Sequence, residues 1–519
     1  MIEEKTKPLF ERSEWTFDTM SEVYDAIEEI AHNELHLDTY PNQIEVISSE
    51  QMLDAYSSIG LPLMYRHWSF GKRFARDEHS YRRGYSGLAY EIVINSSPCI
   101  SYNMEDNSMA MQTLVMAHAA FGHNHFFKNN YLFKQWTDAE GILEYLSFAR
   151  DYITKCEERY GIERVEEILD AAHALMDQGV FRYRRPPKLS KEALRKKVQE
   201  REEYEERSYN DLWRTVPAAS EAVAELDECE VEQKRRQEMF KLPEENLLYF
   251  LEKNSPNLRT WEREVLRIVR NIAQYFYPQK QTKVMNEGCA TFVHYTIMNR
   301  LYDKGLISEG ALLEMLHSHT SVVFQPDFDD PRYSGINPYA LGFNMMTDIK
   351  RICMEPTEED RDWFPAIAGN GKWRDTLLDA WANYRDESFI LQYLSPYLMR
   401  KMRLFSIGDD SKSPTLEVGA IHNKSGYRQV RNALAESYNL SLQEPDIQVV
   451  DVNIRGDRTL FLRHRCKNRI TLHEQTRNEV LKHLKLLWGY HVVLTGIEQE
   501  TNEELYCATT RPQKEESGF

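Results

Sequence analysis

The chain has 519 residues, 42% hydrophobic and 12% aromatic, which gives enough apolar material for more than one core and excludes a largely disordered protein. Its formal charge of −18, from 64 Lys+Arg against 82 Asp+Glu, excludes a general polyanion-binding role. There is no apolar run long enough to span a bilayer and no basic-apolar leader at the start, so a soluble cytoplasmic protein without membrane or general nucleic-acid binding is expected. Seven scattered cysteines with no Cys-x-x-Cys pair exclude a disulfide framework and a thiolate zinc site.

In chain order, Trp15, Phe17, Met20, Val23, Tyr24, Ile27 and Ile30 fall at helical spacing, which predicts a helix over 14–36. A short strand at Ile44–Ile47 and a helix at Ser49–Tyr56 follow, then the aromatic segment His67-Trp-Ser-Phe-Gly-Lys72 and a strand at Ala89–Asn95. That strand precedes an apolar helical segment containing His118, His123 and His125, the order seen in zincin-type folds. Residues 136–176 read as helix, and 182–241 is a charged, flexible segment or a docking surface. Helices return over 245–352, broken by a Pro- and Gly-containing loop at Phe324–Pro338. Strands at Leu416–Ile421, Ile447–Ile454, Leu460–His464 and His491–Ile497 alternate with helices at Gly426–Tyr438 and Glu474–Leu487, with a turn at Arg455–Arg458. This β-α-β-β-α-β order predicts a ferredoxin-like module. The expected architecture is α+β: a mainly helical domain over 1–403 with zincin-like elements, the ferredoxin-like module over 404–510, and a tail over 511–519.

The chemistry concentrates in His118-Ala-Ala-Phe-Gly-His-Asn-His125 and in Asn286-Glu-Gly-Cys-Ala-Thr-Phe-Val-His294, where ionisable groups sit among apolar neighbours and need a partner or a metal. On a regular helix a step of seven returns to within roughly 20° of its start, whereas a step of five misses by roughly 140°. Glu287 and His294 therefore share a face, as do His118 and His125. His123 joins His118 only if the helix breaks or bulges near Gly122. In His-Glu-x-x-His peptidases the residue after the first His is the general base; here it is Ala119. His67 is a further candidate ligand, and Lys128 and Asn129 either cap the helix or touch substrate. No phosphate-binding glycine loop or Gly-x-Ser-x-Gly elbow is present.

The segments Trp15-Thr-Phe-Asp18, Leu37-Asp-Thr-Tyr-Pro41, His67–Lys72, Gly87–Asn95, His118–Asn124, Phe126–Asn130, Val284–Gly288, Ser334–Phe343 and Arg455–Arg458 resemble the stage V sporulation protein R (SpoVR) family, in the long form found in non-spore-forming as well as spore-forming bacteria. The resemblance implies a bacterial cytoplasmic protein of spore cortex formation or of the stationary-phase and stress response. It also implies a PrkA-type serine kinase and a von Willebrand-like acidic protein as partners. It favours His123 over His125 as a ligand, and it makes Ala119 part of the family pattern. The family usually has Trp where this chain has Cys289 and Val293.

Together these readings lead to an expected divalent ion, zinc, on His118, His123, Glu287 and His294, with His67, His125, Lys128 and Asn129 as additional site residues. Because Ala119 removes the usual base, the expectation is a regulatory or partner-binding metalloprotein. The alternatives are a hydrolase of peptide or peptidoglycan fragments with a non-standard base, and a metal-free structural adaptor.

Overall fold

The computed structural model describes residues 7–58, 61, 64–82, 91–182, 240–408, 417–420, 423–454 and 456–511. All but the ends of the charged segment 182–241, the residues 512–519 of the tail and Arg455 of the expected turn lie outside the described residues. Two units emerge, one built from Met1–Asp151 with Pro278–Leu440 and the other from Tyr152–Tyr277 with Ser441–Phe519. These units and a division at 403/404 partition the chain differently.

The first unit is mainly helical. Its opening helix, Phe17–Glu29, starts where Thr16 accepts a hydrogen bond from the Thr19 amide, and it buries Met20, Val23 and Ile27 at the predicted spacing. A small sheet follows in the order β1 (Asn42–Ile47), β3 (Cys99–Met104), β2 (Glu91–Ile94). β3 runs parallel to β1 and antiparallel to β2, which leaves β2 at an edge. The helix Met109–Met116 has every residue buried, as an apolar helix without a polar face must, and it continues directly into the histidine segment. The helix Lys283–Asp303 packs against that segment, and the helix Pro338–Met354 packs against Lys283–Asp303 so closely that a Cβ on Gly288 would lie 2.6 Å from the Gly342 Cα.

The second unit holds a four-stranded sheet in sequential order, β6 (Asp446–Val452), β7 (Leu460–Cys466), β8 (Val492–Glu498) and β9 (Glu504–Thr509). β7 and β8 are parallel, joined by the helix Glu474–Trp488, and the outer pairs are antiparallel. The ferredoxin-like pairing expected for this region is not the one found. The strand expected at Leu416–Ile421 pairs instead, as β5 (Glu417–Ala420), with β4 (Ser406–Gly408) in a separate two-stranded sheet. The fourth place is taken by β9, which folds back on β8 across a short loop and so pays little closure entropy. Residues of the 152–277 stretch support this sheet: Glu244 bridges Val449, and the Ser255 hydroxyl donates to the Leu487 carbonyl at 2.7 Å.

Candidate metal centre

A regular α-helix would point His118 and His123 apart, but the chain widens into a π-helix over Ala117–His123. Its i→i+5 turn brings residues five apart onto one side, and the two imidazoles meet edge-on with centroids 4.6 Å apart. Gly122 makes this possible: a Cβ there would lie 2.5 Å from the Ala290 Cα of the facing helix. That helix, Lys283–Asp303, presents Glu287 one turn in. Its first turn is anchored by Asp386, whose carboxylate accepts from the Val284 and Met285 amides at 2.9 Å each. Burial pushes the Asp386 carboxyl up to about 7, with the two amide bonds opposing the rise.

One donor atom each from His118, His123 and the Glu287 carboxylate converge, all lying within 4.8 Å of one another. His123 Nε2 and Glu287 Oε2 are 3.6 Å apart, as are His118 Nε2 and Glu91 Oε1. Those separations are long for hydrogen bonds, and Glu287 Oε2 is buried without a hydrogen-bond partner. Donors at roughly 2.0–2.2 Å from a tetrahedral ion sit about 3.4 Å from one another, so the arrangement has room for one cation between nitrogen and oxygen. The orphaned Glu287 oxygen fits that role. The two histidines are 4% and 7% exposed, while the side chains of Glu91 and Glu287 keep 20% and 18%.

The rings are held from behind. His123 Nδ1 is 2.9 Å from Asn286 Oδ1, to which it donates, leaving Nε2 as the lone-pair nitrogen. His118 Nδ1 lies 2.9 Å from His294 Nδ1, and His294 Nε2 lies 2.9 Å from His319 Nδ1. With His118 Nε2 turned towards a cation, its Nδ1–H donates to His294 and His294 donates on to His319, a chain of neutral imidazoles. Burial holds His118 and His294 well below the ordinary imidazole value, reinforced by the neighbouring imidazoles, and burial takes His319 down to about 4. Burial also pushes the Glu91 carboxyl up to about 8, with the charge of Glu287 adding to the rise.

Among the expected site residues, His118, His123 and Glu287 are brought together. His294 is placed behind His118 with both ring nitrogens engaged, so the structure gives it an orienting position in place of the expected ligand position. His125 faces elsewhere: its Nδ1 accepts from the Asp38 amide at 3.0 Å, and burial takes it down to about 4. Lys128 Nζ donates to Asp38 Oδ1 at 2.6 Å and Asn129 Nδ2 to the Asp38 carbonyl at 2.8 Å. These three residues therefore fasten the helix end to Asp38 and lie outside the cluster. His67 has its Nδ1 2.7 Å from the Ser69 hydroxyl and is also outside it. Residue-by-residue reading missed Glu91 and Asn286. Glu91 left a trace, a single acid in the otherwise apolar run Ala89-Tyr-Glu-Ile-Val-Ile94.

The family model described as SpoVR like protein matches residues 14–443, and the one described as SpoVR-like C-terminal domain matches 445–499. The chain belongs to the SpoVR family. A protein of Escherichia coli (strain K12) that carries the description "Uncharacterized protein YcgB" is 56% identical over 500 residues, 96% of each chain. No solved structure matches. Within this SpoVR chain the first family model spans the strand, both site helices and every residue of the His/Glu cluster. Among the described residues no helix is long and apolar enough to cross a membrane.

Proposed function

We propose that this SpoVR-family protein is a metal-dependent hydrolase of amide bonds, with one divalent ion, zinc by donor type, held by His118, His123 and Glu287. The observation that carries the reading is the three-donor set together with the buried Glu287 Oε2, which has no hydrogen-bond partner. Three protein ligands are the pattern of catalytic zinc sites, which keep a position open, whereas structural sites use four. A bound divalent ion would supply Lewis acidity towards a carbonyl and lower the pKa of a water. Everything else is supplied by the chain: Asn286 and His294 fix the imidazoles, and the buried helices around them exclude bulk water. The edge strand β2 ahead of a metal-binding helix is the zincin-like part of the proposal.

The regulatory expectation rested on Ala119, which is fully buried and offers no proton acceptor. The site nevertheless has a second carboxylate within reach, so the absence of the usual Glu no longer argues against turnover. Family resemblance points to peptides of cell-wall origin as the substrate class. The test incubates zinc-loaded protein with a muropeptide digest of bacterial sacculi and compares products by mass spectrometry. Amide cleavage by the wild type, lost with Glu287→Gln and on chelation, is expected. A metal-loaded wild type that leaves every muropeptide intact would overturn the hydrolase reading in favour of a regulatory metalloprotein.

A further inference from the structure

Hydrolysis at a three-ligand centre needs a group that takes a proton from the attacking water, and this proposal rests on the hydrolase reading above. The residue after His118, where a Glu would do this, is Ala119, with no exposure and no ionisable atom. The only acids that the described residues place against the two site histidines within ion-pair distance are Glu287 and Glu91. Glu287 belongs to the mutually close donor set, and its buried oxygen has the ion as its natural partner. Glu91 is not one of that set, yet its Oε1 stands 3.6 Å from His118 Nε2, the ring nitrogen opposite the Nδ1 that meets His294. A carboxylate beside a ligand atom but outside the donor set is where a base next to the open position has to be.

The backbone holds it there. Glu91 opens the edge strand β2 and pairs with Asn103 of the buried central strand β3, so its side chain leaves a fixed ladder position and not a free loop. The carboxylate reaches the cluster, and the side chain keeps 20% exposure.

We propose that Glu91 is the proton-transfer residue of this site, delivered from the sheet in place of the helix position that Ala119 leaves empty. One water O–H bond breaks, the proton passes to the Glu91 carboxylate, and the water oxygen bonds to the amide carbon. When the C–N bond breaks, Glu91 returns the proton to the leaving nitrogen. The products are a carboxylic acid and an amine, Glu91 regains its charge, and no oxidant or reductant takes part.

Zinc content and acetohydroxamate affinity test this without a known substrate, using the full chain and its Glu91→Gln variant, with Glu91→Asp as a second variant checked for an unchanged melting curve. Acetohydroxamate occupies an open zinc position and hydrogen-bonds an adjacent carboxylate. The wild type and Glu91→Gln should carry equal zinc, with the variant binding acetohydroxamate about 10- to 100-fold more weakly, the usual effect of removing one charge-assisted hydrogen bond. Zinc lost in both Glu91 variants would make Glu91 a ligand and overturn the proposal. So would unchanged acetohydroxamate affinity in Glu91→Gln, or a zinc-loaded wild type that does not bind acetohydroxamate. A wild type without zinc would instead fail the underlying metal reading, so the two failures are distinguishable.

Discussion

Each imidazole in the cluster has one nitrogen tied to the protein and one turned inward, and the tying atoms make separable predictions. Asn286 Oδ1 holds His123 Nδ1 at 2.9 Å. Asn286→Ala should leave the fold intact and weaken zinc affinity about 10- to 100-fold, as loss of an orienting partner does at other metal sites. Competition with a chromogenic chelator measures it, and an unchanged affinity would mean that Asn286 does not orient the ring. His294→Ala should act in the same direction through His118 Nδ1, with the added cost of a cavity between His118 and His319. Were His294 a ligand, as its helical alignment with Glu287 suggested, its loss would remove the ion altogether, so the two variants also discriminate between the roles.

At the scale of elements, the site depends on a π-helix and on a glycine contact. Gly122→Ala puts a methyl 2.5 Å from the Ala290 Cα, backbone that cannot swing aside. The two helices must separate, so a loss of about 1–3 kcal/mol in stability is expected together with weaker zinc binding. Urea unfolding of the apo and zinc-loaded protein would show both; a stable variant with wild-type affinity would place the close approach outside the site's requirements. This contact also explains what the sequence could and could not reveal. The opening helix was legible because burial imposes its period on side chains, and the strand at Glu91 and the segments around His118 and Glu287 because near-continuous apolar runs mark buried elements. The convergence of His118 with His123 was not derivable from regular spacing, because the π turn satisfies a fit between two helices some 170 residues apart, and spacing along one helix does not encode it. Glu91 was hidden for the same reason: its value lies in the strand's position against His118. The sheet order failed at β5 and β9, where local strand pattern says nothing of the partner.

At the scale of the molecule, each unit carries a histidine kept neutral by burial, His319 in the first and His464 in the second. Their folded pKa values lie below the unfolded value of about 6.5, so the unfolded chain binds protons that the native chain does not. The contribution of these two histidines is therefore fully present above pH 6.5 and is lost on acidification, for His319 through the window down to about 4. Glu91 and Asp386, whose carboxyls are raised, act in the opposite direction over that window, so the prediction is a difference: on going from pH 6.5 to 4 the midpoint of urea unfolding of metal-free wild type should lose more, or gain less, than that of His319→Gln, and an equal slope in the variant would deny His319 its part. The proposed chemistry needs one ion between His118, His123 and Glu287, and elemental analysis of untagged protein purified without chelator tests for it most directly. Close to one divalent ion per chain is expected, zinc foremost, lost in His118→Ala and in Glu287→Gln. A folded wild type with no stoichiometric metal, or metal content unchanged in either variant, would contradict it.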